Sequence, residues 1–209
     1  RRLAADLGVW ILIGSAIVQS GQSGDDRAAN RSLLIDAHGG IVGRYDKLHV
    51  FDVDLANGER YRESASIRPG DGATVADTPW GRVGLTICYD IRFPHLHRQL
   101  AKAGACMITV PAAFTVPTGQ AHWETLLRAR AIETGAYVLA PAQGGLHEDG
   151  RATYGRSIVV APWGEVVARL DHDEPGVLHA TLDFAEVKKA RAAVPALLHD
   201  RAFAPPLQA

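Results

Sequence analysis

The sequence is poor in sulfur. Only Cys88 and Cys106 are cysteines, and Met107 is the single methionine among 209 residues. Two thiols without metal-ligand spacing build neither a zinc site nor the disulfide framework of a small secreted domain. Charge imbalance is missing too. The 22 lysines and arginines stand against 23 aspartates and glutamates, a formal net charge of -1. That removes the electrostatic argument for nucleic acid or an anionic membrane as a partner. No apolar run reaches the ~20 residues that cross a bilayer, and residues 1–6 lack the apolar core and cleavage site of a signal peptide. A reducing cytoplasm is the default compartment. Repeats, low-complexity tracts and linkers are absent, so a single domain over 1–209 is the simplest organisation. The start is the last absence. There is no initiator methionine, and residues 3–8 read as the end of a helix, so a native N-terminal segment is expected to lie outside the sequence.

What is present is 47% hydrophobic residues, enough core for one globular domain of this length. Residues 9–17 and 105–110 read as buried strands, and 32–36 with 41–49 flank His38-Gly39-Gly40 as a hairpin. Further strands are predicted at 73–75, 84–87, 136–140, 157–161, 165–170 and 176–182, and helices at 93–104, 120–134 and 184–193. The polar stretch 19–31 and the charged stretch 50–70 read as loops. A loop as long as the second is usually functional in a compact domain. Alternating strands and helices with hairpins at both ends predict an α/β layered fold around a largely buried sheet.

Residues 81–94 read GRVGLTICYDIRFP. Val83, Leu85 and Ile87 alternate as a strand does, and Cys88 comes at once after them. A strand that ends on a cysteine and turns into a helix lifts the sulfur out of the sheet edge, where a helix N-terminus favours thiolate. Those are the mechanics of a nucleophile elbow, with sulfur in place of oxygen. A buried structural cysteine is the other reading of the same residues. A catalytic thiol also needs a base and something to hold an oxyanion. His95, His97 and His122 are candidates for the base, but each reads as a solvated or helix-start histidine sooner than as a base, and spacing does not choose among them. His95 and His97 have no third ligand of matching spacing for a metal. Lys47 closes an apolar strand, either as a snorkelling lysine or as an ammonium aimed at an oxyanion. Glu63, in the long loop, is a solvated carboxylate or the partner that fixes that lysine. Cys106, mid-strand, reads as core.

Several blocks carry a resemblance: YDKLHVFD at 45–52, YRES at 61–64, CYDIRFP at 88–94, AHWE at 121–124, LRARAIE at 127–133 and YGRS at 154–157. In this order they are similar to the nitrilase, or carbon–nitrogen hydrolase, superfamily, and the cysteine block resembles its amidase branch. The resemblance implies an αββα four-layer sandwich, N-terminally truncated in this sequence, that works as a homodimer without metal or cofactor. It implies Cys88 as the nucleophile that attacks an amide carbon, forms a thioester and releases ammonia. Lys47 and the backbone N–H of Tyr89 would stabilise the oxyanion, and Glu63 would support the lysine. Arg92 would grip a small-molecule amide substrate by its carboxylate, unless it forms a structural salt bridge with Asp90 or a helix carboxylate. Phe114 and Thr115 match pocket-lining positions. The superfamily's general base is an earlier glutamate, yet none precedes Glu59. Such a base is worth about 10²–10⁴-fold in rate. Hydrolysis of an N-carbamoyl amine or a nitrile by the same thiol, or a non-catalytic scaffold of the same fold, are the alternatives.

Overall fold

Apolar alternation builds two sheets. The computed structural model describes residues 1–56 and 58–206. A short helix, α1 (Arg2–Leu7), leads into three antiparallel strands, β1 (Ile11–Gln19), β2 (Ala28–Ile35) and β3 (Ile41–Asp46). A small hairpin comes next, β4 (Asp52–Asp54) with β5 (Arg60–Arg62), and then a 3-10 turn, Glu63–Ala65. After it lie β6 (Thr74–Thr78), β7 (Gly81–Leu85), a second 3-10 turn (Cys88–Arg92), α2 (Pro94–Lys102), β8 (Ala105–Thr109) and α3 (Val116–Thr134). The chain continues through β9 (Tyr137–Ala140), a hairpin of β10 (Gly144–Leu146) and β11 (Ala152–Tyr154), β12 (Ile158–Val160), β13 (Val166–Arg169) and α4 (Ala185–Ala193). Six strands form one sheet in the order β13-β12-β9-β8-β7-β6. Its middle strands β7, β8 and β9 run parallel, and the pairings on either side are antiparallel.

Successive side chains point to opposite faces of a strand, so this sheet feeds two cores. On one face Ile108, Val138, Ile158 and Val160 pack under Leu96 and Leu100 of α2 and Trp123, Leu127 and Ala131 of α3. The helix lies directly on β7, because a Cβ at Gly84 would come within 3.1 Å of Leu100. On the other face Val83, Leu85, Ile87, Met107 and Tyr137 meet Leu34 and Tyr45 of the three-stranded sheet, with Val187 of α4. The layers stack helix, sheet, sheet, the first three of the expected αββα order. α1 docks beside them on the turn between β2 and β3, where Arg1 Nε donates to the Gly39 carbonyl at 2.8 Å.

Several expectations are corrected. The strand at 9–17 is not buried, since Ile13 and Ile17 of β1 are exposed. Residues 176–182 do not form a strand: among the described residues no ladder partner lies beside them, and Val177 faces solvent. The stretch 50–70 is not all loop, since it holds the β4–β5 hairpin, and a further hairpin, β10–β11, was not predicted. α3 starts at Val116 rather than 120, with Pro117 in its first turn, where a missing N–H costs nothing.

His97 of α2 is buried, with Nδ1 3.2 Å from the Phe93 carbonyl and Nε2 without a partner. Burial, seconded by the charge of Arg130, pulls its pKa from 6.5 down to about 4. The folded state thus refuses a proton that the unfolded chain accepts. The associated stability is whole above pH 6.5 and is lost as the pH falls toward 4. A shift of this size corresponds to about 3 kcal/mol. Thermal melts between pH 7 and 4 are expected to show a falling midpoint. His97→Asn keeps a donor for the Phe93 carbonyl and should flatten that slope; an equal slope in the variant would assign the acid loss elsewhere.

Candidate active site

Because β7, β8 and β9 are parallel, their carboxyl ends open on one edge of the sheet, the usual place for a site in such folds. Cys88 lies just past β7, Phe114 and Thr115 past β8, and the β10–β11 hairpin past β9. Cys88 has φ of 49°, a left-handed backbone that costs a non-glycine residue about 1–3 kcal/mol. Two contacts hold it there. Its N–H donates to the Pro111 carbonyl at 2.9 Å, and the Ile87 N–H donates to Asp90 Oδ2 at 2.8 Å. The elbow expected from the sequence is therefore present. Cys88 opens a five-residue 3-10 turn, however, and α2 begins only at Pro94. The expected thiolate is also corrected. Burial pushes the half-buried Cys88 thiol up, and the Lys47 ammonium and the Ala113 N–H pull against it, while Glu63 and Asp90 add to the rise. The resting sulfur carries its proton and needs an acceptor for it. None of His95, His97 and His122 hydrogen-bonds to it: His97 is committed to Phe93, His122 meets Arg92, and His95 meets the rings of His49 and Phe93.

Lys47, one residue beyond β3, is only 3% exposed, so it does not snorkel. Its Nζ lies 2.5 Å from Glu63 Oε2, and the Phe51 N–H donates to the same oxygen at 2.5 Å. Asn30 Nδ2 reaches Glu63 Oε1 at 3.5 Å. Glu63 opens the 3-10 turn after β5. Ring contacts tie its hairpin to the elbow: Phe51 lies 5.1 Å from Tyr61 and 5.0 Å from Tyr89, and Tyr89 lies 5.4 Å from Phe93, all between centroids. Tyr89 is the second residue of its turn, so its N–H belongs to the donors that a helical start leaves free.

The sequence reading missed the part that joins these pieces. Asp90 is completely buried and accepts four hydrogen bonds. Oδ1 takes the His49 N–H at 3.1 Å and His49 Nδ1 at 2.7 Å. Oδ2 takes the Tyr45 hydroxyl at 2.7 Å and the Ile87 N–H at 2.8 Å. Tyr45 OH in turn accepts from the Leu48 N–H at 3.2 Å, and burial together with Asp90 raises its pKa far above the usual phenol range. His49 stacks on Phe93 with ring centroids 3.5 Å apart. The carboxylate thereby clamps the segment on both sides of Lys47 to the turn that carries Cys88. The one sequence hint is an aspartate two residues after the candidate nucleophile, just ahead of apolar Ile91.

Arg92 is not paired with Asp90, nor with any other carboxylate among the described residues. Its guanidinium lies 5.6 Å from the centroid of the Phe114 ring, and Nη2 is 3.1 Å from His122 Nδ1. Phe114 is buried against Trp123. Thr115 is buried as well, with its hydroxyl 2.7 Å from that of Thr118. Beyond His122 lies a cavity of about 280 Å³, lined also by Trp123, Tyr154 and Arg156; it includes neither Cys88 nor Lys47 nor Glu63. Cys106 sits in β8, partly buried against the second core and not within it as expected. Among the described residues, no group of three or more His, Cys, Asp or Glu could hold a metal, and no helix is long and apolar enough to cross a membrane.

Residues 1–192 match the carbon-nitrogen hydrolase family profile. The chain is 46% identical over 202 residues to the deaminated glutathione amidase of Yersinia enterocolitica, covering 96% of this chain and 70% of that protein. The crystal structure of the C. elegans NitFhit protein superposes with a TM-score of 0.88 at 41% identity, covering 96% of this chain and 48% of that one. A mutant of the amidase from Nesterenkonia sp. AN1, which shows covalent addition of the acetamide moiety of fluoroacetamide at its active site cysteine, matches with a TM-score of 0.74 at 28% identity, covering 92% and 68%. The chain thus spans between about half and 70% of the length of these three proteins.

Proposed function

The chain belongs to the carbon–nitrogen hydrolase family, and we propose that its protein is an amidase that cleaves the terminal amide of a small carboxylate-bearing substrate. One observation supports this reading: Cys88 stands on a left-handed elbow at the carboxyl end of a parallel strand, and the charges of the Lys47–Glu63 pair both act on its thiol. In the proposed reaction Cys88 Sγ bonds to the amide carbon as its proton passes to a base. The carbonyl π pair moves to oxygen, and Lys47 Nζ with the Tyr89 N–H meets that charge. Collapse breaks the C–N bond and the nitrogen leaves as ammonia after taking up a proton. Water then hydrolyses the thioester, which returns the thiol and the carboxylic acid. Glu63 holds Lys47, and Arg92 over Phe114 grips the substrate carboxylate. Because burial raises the Cys88 thiol, the reaction needs a base to take its proton.

The test uses the intact protein with succinamate. Ammonia without carbon dioxide, together with an acyl mass on Cys88 in intact-protein spectra, is expected. Ammonia from N-carbamoyl amines alone would replace the amidase reading with carbamoyl hydrolysis, and no release from any of these would favour the scaffold.

A further inference from the structure

We propose that His122 is a positioning residue that aims the Arg92 guanidinium at the substrate carboxylate, an inference that rests on the reading of Arg92 above. A guanidinium has no acceptor and keeps its proton in proteins. In the 3.1 Å contact between Arg92 Nη2 and His122 Nδ1, the arginine must therefore donate and Nδ1 must offer a lone pair. His122 is then neutral, with its proton on Nε2. The Phe114 ring supports the guanidinium at 5.6 Å, so one contact sets its face and the other sets its edge.

The choice of a histidine for that edge has a chemical consequence. A carboxylate at position 122 would orient the arginine equally well but would neutralise it, and would compete with the substrate for the same fork. Asp90, the nearest carboxylate in sequence, has its two oxygens filled by four donors. A neutral acceptor orients Arg92 and leaves its charge, with the remaining N–H donors, for the ligand. His122 comes from α3 and Arg92 from the elbow turn, 30 residues apart, so the contact also registers the elbow against that helix.

The experiment compares succinamate with butyramide, which carries a methyl group where succinamate has its carboxylate. His122→Ala is expected to raise KM for succinamate about five- to tenfold, the worth of one ordinary hydrogen bond, with kcat unchanged and butyramide unaffected. His122→Asn places an oxygen close to where Nδ1 stood and should restore KM. His122→Asp should keep the contact but still raise KM for succinamate, because the charge is neutralised. An equal change on both amides, a fall in kcat in place of the KM effect, or failure of the folded Asn variant to rescue would overturn the proposal. Arg92→Ala in the same panel separates the two layers of inference. If it discriminates between the amides and His122→Ala does not, the positioning role fails alone; if it does not discriminate, the carboxylate grip fails and the role of His122 with it.

Discussion

Cys88→Ala in the intact protein is expected to lower kcat/KM for ammonia release by on the order of 10⁴–10⁶-fold, the scale seen when a covalent nucleophile is removed. The loss should be chemical and not structural. The substitution takes away one sulfur and leaves the Lys47–Glu63 pair intact, so no buried charge is orphaned. Alanine meets the same left-handed backbone as cysteine at φ 49°, so the strain is unchanged. The melting midpoint should therefore stay within a few degrees while turnover disappears. A folded variant that retains more than about a hundredth of the rate would mean that another group attacks the amide.

Asp90→Asn is expected to be the most destabilising near-isosteric change in the site, by about 3–5 kcal/mol. The reason is geometric. Each carboxylate oxygen accepts two donors, and an amide offers one oxygen and one NH₂ group. Whichever way the asparagine turns, its NH₂ faces two N–H or O–H donors. Either the Ile87 N–H or the His49 N–H, which can only donate, then loses its acceptor, and the Tyr45 hydroxyl or His49 Nδ1 on the same side must reverse its role. For a chain of this size that is roughly a 10 °C drop in the melting midpoint. Activity should fall as well, at temperatures where the variant remains folded, because Tyr45 and His49 flank the lysine. A midpoint within about 2 °C of the unsubstituted protein would show that the clamp contributes little.

The sheet was legible because its strands are short apolar alternations, and the residues around Cys88 stand in one contiguous block. Strand 105–110 and the helices behind it carry their periods openly. Residues 144–146 were not legible, since Gly144 and Gly145 give a strand no side-chain pattern; their pairing with 152–154 supplies it. The reverse error fell on 176–182, where a strand-like composition meets no ladder partner among the described residues. The pairing of Lys47 with Glu63 was among the readings of the sequence, but the contacts of Phe51 and Asn30 that hold the glutamate in place are encoded by no local pattern. Asp90 escaped for the same reason: Tyr45 and His49 lie 45 and 41 residues away. Its role also removes the alternative pairing with Arg92, which has no carboxylate partner among the described residues.

The left-handed backbone at Cys88 sets the interests of folding against those of turnover at a single codon. Glycine adopts that φ without penalty, and the elbow's two hydrogen bonds come from main-chain groups and Asp90, not from the sulfur. A population of variants chosen only for resistance to heat would therefore drift toward glycine at position 88 and discard its chemistry, as sites that trade stability for activity do.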